Sequence, residues 1–380
     1  MFFKKKTKEL DDSYYLASQW KLMGQKFKKH KLARFSLAVL AIMYFVVIFA
    51  EFFAVQGLTS YDKAYTNAPP SKIHWIDSEG KFHFQPFVYD VEKKKDKETF
   101  RKYYVENTKE IYPIHFFTFG EEYKLWGFIP GKIHLFGAKK KDIKTGEWKT
   151  GPFFILGTDK LGRDIYSRII HGGRVSLSIG FAGVIISLIL GIIIGGISGY
   201  FGGWIDNAIQ RFIEILRSFP SIPLWMALSA AIPPNIPPLK VYFFITIILS
   251  FLGWTSLARK VRSKFISLRE EDYIMAARIS GCTDGRVIRT HMVPGFLSYL
   301  IVDVSLSIPN MILSETSLSF LGLGIRSPIT SWGVLLQEAQ SIQNVALYPW
   351  LLTPVIAVIV TVLAFNFLGD GLRDAADPYK

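Results

Sequence analysis

The 380-residue sequence predicts an all-α polytopic membrane protein that carries a β-rich external insertion. Three observations predict this class. Half of the residues are apolar and the mean hydropathy is +0.24, on the membrane side of the values usual for soluble domains. Apolar runs of about 20 residues, the length a helix needs to cross a bilayer, recur along the chain. Residues 1–34 carry ten Lys/Arg against three Asp/Glu immediately before the first such run, as the positive-inside rule requires of a cytoplasmic segment. The net charge of +14 is therefore a topology signal, and no nucleic-acid partner is expected.

Residues 1–34 are expected in the cytoplasm and 35–55 as the first span, with Glu51 near its outer end. The basic region is too long for a signal peptide and no small-x-small cleavage site follows, so this span is read as uncleaved. Residues 56–156 form the insertion. KFHFQPFVYDVE at 81–92 and KLWGFIPGKIHLFG at 124–137 read as strands broken by turns. Cys282 is the single cysteine, so no internal disulfide holds this small domain, which should lean on the spans or on a partner. His74, His83, His115 and His134 fall here, widely spaced and without a ligand motif. They are expected to be structural or exposed, and no metal is expected.

The second span covers about Val175–Tyr200. Its glycines at 180, 183, 191, 195 and 196 either permit close helix approach or reflect the abundance of Gly in membrane helices. The third starts near Ile205–Ile209 and ends near Ala231. It opens with Arg211, Glu214 and Arg217, followed by Pro220 and Pro223. Either its lipid-embedded part begins late, near Phe212, or its charged side faces protein at the cytoplasmic rim. PPNIPP at 233–238 ends it, since such a run cannot continue a helix. The fourth span is about Val241–Ala258. The fifth is about Gly295–Leu313, extending up to Phe320 and containing Asp303 and Pro309. The sixth is about Pro349–Leu368 with Pro354 inside. Six spans place both termini on one side, the cytoplasm. The loop at 259–294, with eight Lys/Arg against four Asp/Glu, falls on that side as well.

That loop reads as short, charged, amphipathic helical pieces between two spans. Leu268–Tyr273 can begin a helix that carries Ile274, Ala276 and Ala277, and Gly281 then permits a turn or the close approach of a partner. Small residues with charged flanks suit insertion into a groove on another protein, although the same pattern fits an ordinary connecting loop.

Ala276, Ala277, Gly281, His291 and Pro294 resemble, in spacing, the cytoplasmic loop shared by permeases of ATP-binding-cassette importers. Met275 stands where that family usually has glutamate. His291 stands where isoleucine is common, although histidine is usual in the peptide branch. GTDKLGRDIYSRIIHGGRVSLSIG at 157–180 is similar to the block before the second span in dipeptide and oligopeptide permeases. YFGGWID at 200–206, SLSFLGLG at 317–324, SWG at 331–333 and AFNFLGDGLRDAADP at 364–378 are similar to the same group. The order of these blocks resembles the C-type permease subunit.

This resemblance implies the six-helix type I importer permease fold, with a core permease domain at 157–380. It also implies a homologous B-type permease, two ABC ATPase subunits that carry ATP and Mg, an extracellular substrate-binding lipoprotein, and a peptide cargo. The coupling loop would consist of Glu270, Glu271, Asp272, Ala276, Ala277, Arg278, Gly281, His291 and Pro294. The departure at Met275 moves its acidic role to the 270–272 cluster, with Glu271 favoured. Arg278, Arg286 and Arg289 would meet either acidic groups on the ATPase or lipid headgroups. Asp159, Arg163 and Asp164 would be structural or gate groups. Asp303 and Glu315 would either line the translocation path or serve as hydrogen-bonded packing carboxylates.

No phosphate-binding GxxxxGK[ST] loop occurs, and no nucleophile–base or metal constellation stands out. The chain is accordingly expected to bind no cofactor and not to be an enzyme. Oligopeptides are the expected cargo, with dipeptides, nickel chelates, glutathione-like compounds or glycans as alternatives on the same architecture. An ion-coupled secondary transporter, or a membrane sensor or assembly protein, is the alternative of another class.

Overall fold

The computed structural model describes residues 19–377, apart from 99, 101, 142–147, 234 and 327. The basic segment expected over 1–34 is thus described from Gln19 onward, and Pro234 of the proline run lies outside the described residues.

A basic helix, α1 (Gln19–Lys29), leads into α2 (Lys31–Ile48), whose first turn is capped by the His30 ring accepting from Ala33 N at 3.1 Å. A further turn at Ala50–Phe53 completes the segment expected as the first span. The insertion follows as one antiparallel meander in sequence order. Its strands are β1 (His74–Ile76), β2 (Phe82–Lys95), β3 (Lys102–Leu125), β4 (Ile129–Lys141) and β5 (Trp148–Thr150). β2 falls on the stretch read at 81–92, and the stretch read at 124–137 spans the end of β3, the turn and most of β4. The sheet's own core is small: Val88, Tyr112, Ile114, Ala138 and Phe153, closed by Val55 from the end of the first span. It leans on the helices, as its size requires. Among the described residues, no group of His, Cys, Asp and Glu could hold a metal. The four histidines of the sheet have separate partners.

The helical body comprises α3 (Ile165–Phe201), α4 (Gly203–Ser218), α5 (Ser221–Ala230), α6 (Pro238–Arg269), α7 (Asp272–Ile279), α8 (Leu297–Phe320) and α9 (Pro354–Ala376). Five helices among the described residues are long and apolar enough to cross a membrane: α2, α3, α6, α8, and α9 with the turn before it. The segment expected as the third span is divided. α4 is an amphipathic helix that ends at Ser218, and α5 is a separate ten-residue apolar helix beginning after Pro220. Proline has no N–H to donate and restricts the residue before it, so Phe219 is extended and the helix breaks there.

The longest packing seam joins α3 to α6. Its closeness rests on the glycines of α3: a Cβ on Gly195 would stand 2.4 Å from the Ala258 carbonyl oxygen. These glycines are therefore packing devices, since only a bare Cα lets two backbones approach this closely. α8 lies against α3 and α9, and α9 against α2, around a core that includes Leu177, Ile312, Trp332 and Phe365. Val47 of α2 meets Gly173 near the start of α3, while Ala33 of α2 meets Gly371 near the end of α9. The insertion and the start of α3 therefore lie at one end of the body. α1, the end of α9 and the segment after α6 lie at the other.

Candidate functional site

At the end of the body away from the sheet, residues 259–294 form a compact cap. α6 continues without a break to Arg269, so the first third of the predicted loop is a rigid extension of the helix. α7 follows, then Gly281 with φ +80°, a left-handed conformation that favours glycine, and a π-helical turn at Val287–Met292. Ile274, Val287 and Met292 are buried with Tyr200 of α3, Phe265 of α6 and Leu300 of α8. Polar contacts tie the cap to α3. The Tyr200 hydroxyl donates to Asp284 Oδ1 at 2.5 Å, Arg278 Nε donates to the same hydroxyl at 3.3 Å, and the Arg278 guanidinium lies 4.6 Å from the ring centroid. Beside it, Arg262 of α6 holds Asp206 of α4 with two hydrogen bonds of 2.5 Å, and Ser198 of α3 donates to the same carboxylate.

The outer side of the cap is open. Glu270, Glu271, Asp272, Ala276, Arg278, Gly281 and Pro294 are exposed, and Ala277 and His291 are half-buried. Ile279 is 88% exposed, with exposed Met275 one turn before it on α7. Sequence reasoning passed over Ile279, Tyr200 and Asp284. The helical spacing of Met275 and Ile279 was the available signal.

At the opposite end, Asp159, Arg163 and Asp164 do come together, in a sealed cluster. Asp159 is 2% exposed and accepts from the backbone N–H of Leu161 at 2.8 Å and of Arg163 at 3.0 Å. Its second oxygen accepts from Arg163 Nε at 2.7 Å and from Arg168, itself buried. Arg168 reaches Thr330, and Arg163 and Lys160 both lie 3.8 Å from Glu338. Asp164 caps α3, accepting from Ser167 N at 2.8 Å and Ser167 Oγ at 2.6 Å. Burial pushes its carboxyl up to about 6, against hydrogen bonds that pull it down. Burial likewise raises Glu338, helped by the charge of Asp159. Arg168, Thr330 and Glu338 were not singled out in the sequence. Two of the three sit more than 150 residues away, beyond any local spacing rule.

The two carboxylates of α8 have different surroundings. Glu315 is fully buried and accepts from Ser176 Oγ at 3.1 Å and Ser319 Oγ at 2.7 Å. Asp303 pairs with Lys260 and lines a cavity of about 480 Å³, together with Arg217, Ser256, Ser307, Asn310 and Ser314.

Residues 187–379 match the family described as binding-protein-dependent transport system inner membrane component, and residues 18–70 match the N-terminal transmembrane domain of oligopeptide transport permease C. The dipeptide transport system permease protein of Alkalihalophilus pseudofirmus is 43% identical over 224 residues, 59% of this chain and 71% of that one. The oligopeptide transport system permease protein of Haemophilus influenzae is 42% identical over 227 residues, covering 60% and 70%. The glutathione transport system permease protein of Pectobacterium atrosepticum is 40% identical over 227 residues, covering 59% and 72%. The five helices long and apolar enough to cross a membrane, the matched residues and these identities together make the chain a permease subunit, homologous to the dipeptide and oligopeptide permeases, in the family of binding-protein-dependent transport system inner membrane components.

Proposed function

We propose that this chain is the C-type permease of an importer that carries oligopeptides into a bacterial cell, driven by two ATPase subunits that dock on the 259–294 cap. The observation that carries the reading is the two-sided construction of α7. Ile274 is buried in the body, while Ile279 and Met275, one turn apart, stand open to solvent. A lever needs a rigid root and a free grip, and a partner that moves the grip moves α3, α6 and α8 with it. On this reading Glu270, Glu271, Asp272, Ala276, Ala277, Arg278, Gly281, His291 and Pro294 surround the grip. ATP and Mg stay on the partner subunits, and no cofactor binds here.

The rest of the reading follows from that orientation. The cap, α1 and both termini are cytoplasmic in the plasma membrane. α4 and α5 together make the third crossing of a six-span type I permease. The insertion at 56–156 is extracellular, between the first and second spans, and faces the substrate-binding lipoprotein. A homologous B-type permease completes the pathway, and 157–380 is the core permease domain. The cavity is lined by Arg217, by Asp303 in its pair with Lys260, and by Ser256, Ser307, Asn310 and Ser314, a polar lining that supports a cargo rich in hydrogen-bonding groups such as a peptide. Asp159, Arg163 and Asp164 are assigned to the frame of the outer gate, and Glu315 to packing.

Uptake of labelled peptides two to six residues long, in cells carrying or lacking the chain, tests the cargo. An Ile279→Arg variant tests the coupling. Loss of uptake in both, with the variant at normal membrane abundance but no longer retaining the ATPase, is the expected result. Unchanged peptide uptake without the chain removes the peptide reading and moves the cargo to nickel chelates, glutathione-like compounds or glycans. Normal uptake by Ile279→Arg removes the docking assignment. Gly281→Arg is the weaker probe, because its positive φ strains any side chain before a partner is met.

A further inference from the structure

The β3–β4 hairpin ends in a turn built against its own sequence. Gly127 N donates to Lys124 O at 3.0 Å and Phe128 N to Leu125 O at 3.2 Å, with Trp126 at φ +53° and Gly127 at φ +87°. Asn-Gly or Asp-Gly is the pair that suits two successive left-handed residues, and a bulky side chain there is an outlier. Strain of this kind persists where the surroundings impose it. Here the Trp126 indole N–H donates to the Ile48 carbonyl oxygen at 2.9 Å, and its ring lies 5.6 Å from that of Phe49.

The hairpin also runs back along the first span. His134 bonds the Ala54 carbonyl oxygen at 2.6 Å, whereas the tip bonds Ile48, six residues earlier. At 1.5 Å per helical residue, the tip therefore sits about 9 Å nearer the centre of the span than the body of the sheet does. It lies at the polar edge of the span, where Arg174 pairs with Glu51 at 2.7 and 2.8 Å and also donates to the Ile48 carbonyl at 2.9 Å. Trp126, Phe128 and Ile129 are exposed at this depth, and Phe119 and Ile133 are exposed further out, beside His134. They continue the exposed stripe of α2 formed by Ile42, Phe45 and Ile48. A water-facing tip would leave this apolar surface uncovered, whereas indole and phenyl rings at the end of a span match the aromatic belt of a bilayer. The hairpin's exposed charges, Lys124 and the Lys132–Glu122 pair, flank these rings, whereas the opposite end of the sheet pairs Lys94 and Lys95 with Tyr103 and Lys102.

We propose that the β3–β4 hairpin tip, centred on Trp126, is inserted into the lipid interface beside α2 and anchors the insertion to the membrane. The proposal rests on reading α2 as a span but not on which side of the membrane the sheet occupies.

The test places one nitroxide at a time on the full chain, in its complex, in lipid nanodiscs of phosphatidylcholine and phosphatidylglycerol. Cys282→Ser provides the cysteine-free background. Collision with oxygen, which partitions into lipid, is compared with collision with a water-soluble nickel chelate. Labels at Phe128→Cys and at Ile42→Cys on α2 should favour oxygen, and a label at Tyr103→Cys should favour nickel. Trp126→Asn supplies a pair that the turn prefers, so it retains the hairpin; it should shift the Phe128→Cys label toward the nickel-accessible state. A nickel-accessible label at 128 beside an oxygen-accessible one at 42 overturns the anchor while leaving the span intact. A label at 128 shielded from both reagents overturns it in favour of a protein partner. A nickel-accessible label at 42 overturns the span and the anchor together.

Discussion

At its N-terminal end α3 is held by charge that water cannot reach: Asp159 and Arg168 are almost fully buried, Asp164 caps the helix from within, and Glu338 closes the cluster from a distant turn. At its C-terminal end α3 is held by contacts at the rim. Tyr200 lies between Asp284 and an exposed Arg278, and the apolar root of the cap beneath it carries most of the burial. The first end is expensive to disturb and offers nothing to a partner. The second is cheap to alter at its surface and presents an apolar grip. A helix that must be re-aimed from one end needs a fulcrum at the other, and this division of polar burial supplies one.

The comparison breaks first at the buried end. Asp159→Ala leaves Arg168 sealed without its carboxylate, and the expected loss is about 3–5 kcal/mol, read by thermal unfolding of the purified complex. An unchanged melting temperature would mean that the cluster opens to water. Asp164 is the next lever. Its carboxyl is raised from 3.8 to about 6, so the folded state holds a proton that the unfolded chain has released. Its contribution is therefore present below about pH 4 and is lost as pH rises toward 6, by at most about 3 kcal/mol. In Asp164→Asn this part of the pH slope should vanish while the cap persists, because Asn serves at the N-cap nearly as well as Asp.

The rim should respond more weakly. Tyr200→Phe removes a hydroxyl shared by Asp284 and Arg278, worth about 1 kcal/mol in the same melt. Ile279→Arg should change stability by no more than about 0.5 kcal/mol, since its side chain touches almost nothing, yet it should abolish retention of the ATPase. A large stability loss at Ile279 would show that α7 is part of the core and erase the contrast between the two ends.

Most of the helical frame was legible because hydropathy and length act locally. α3, α6, α8 and α9 fall where apolar runs of spanning length predict them. The division of the third span was half legible: Arg211, Glu214 and Arg217 announce a polar face and Pro220 a break, but span counting merges the two pieces. In the cap, the alternation of small and charged residues marked α7, while the continuation of α6 to Arg269 did not announce itself, because a charged helix and a charged loop have the same composition.

By itself the sequence determined the class, the strand-forming stretches at 81–92 and 124–137, and the segment that forms the cap. Each of these follows from the chemistry of neighbours within a turn or a strand, which is where hydrophobic period, capping and proline geometry operate. Tertiary structure alone decided that Asp159 meets Arg168 and that Thr330 and Glu338 complete their shell. It also decided that Glu315 is wrapped by serines while Asp303 lines a cavity, and that Trp126 reaches back to the first span. The physical reason is common to all of them. Burying a charge or an indole N–H is tolerable only where a partner stands within hydrogen-bonding distance, and these partners come from helices and strands that only the packed body brings together.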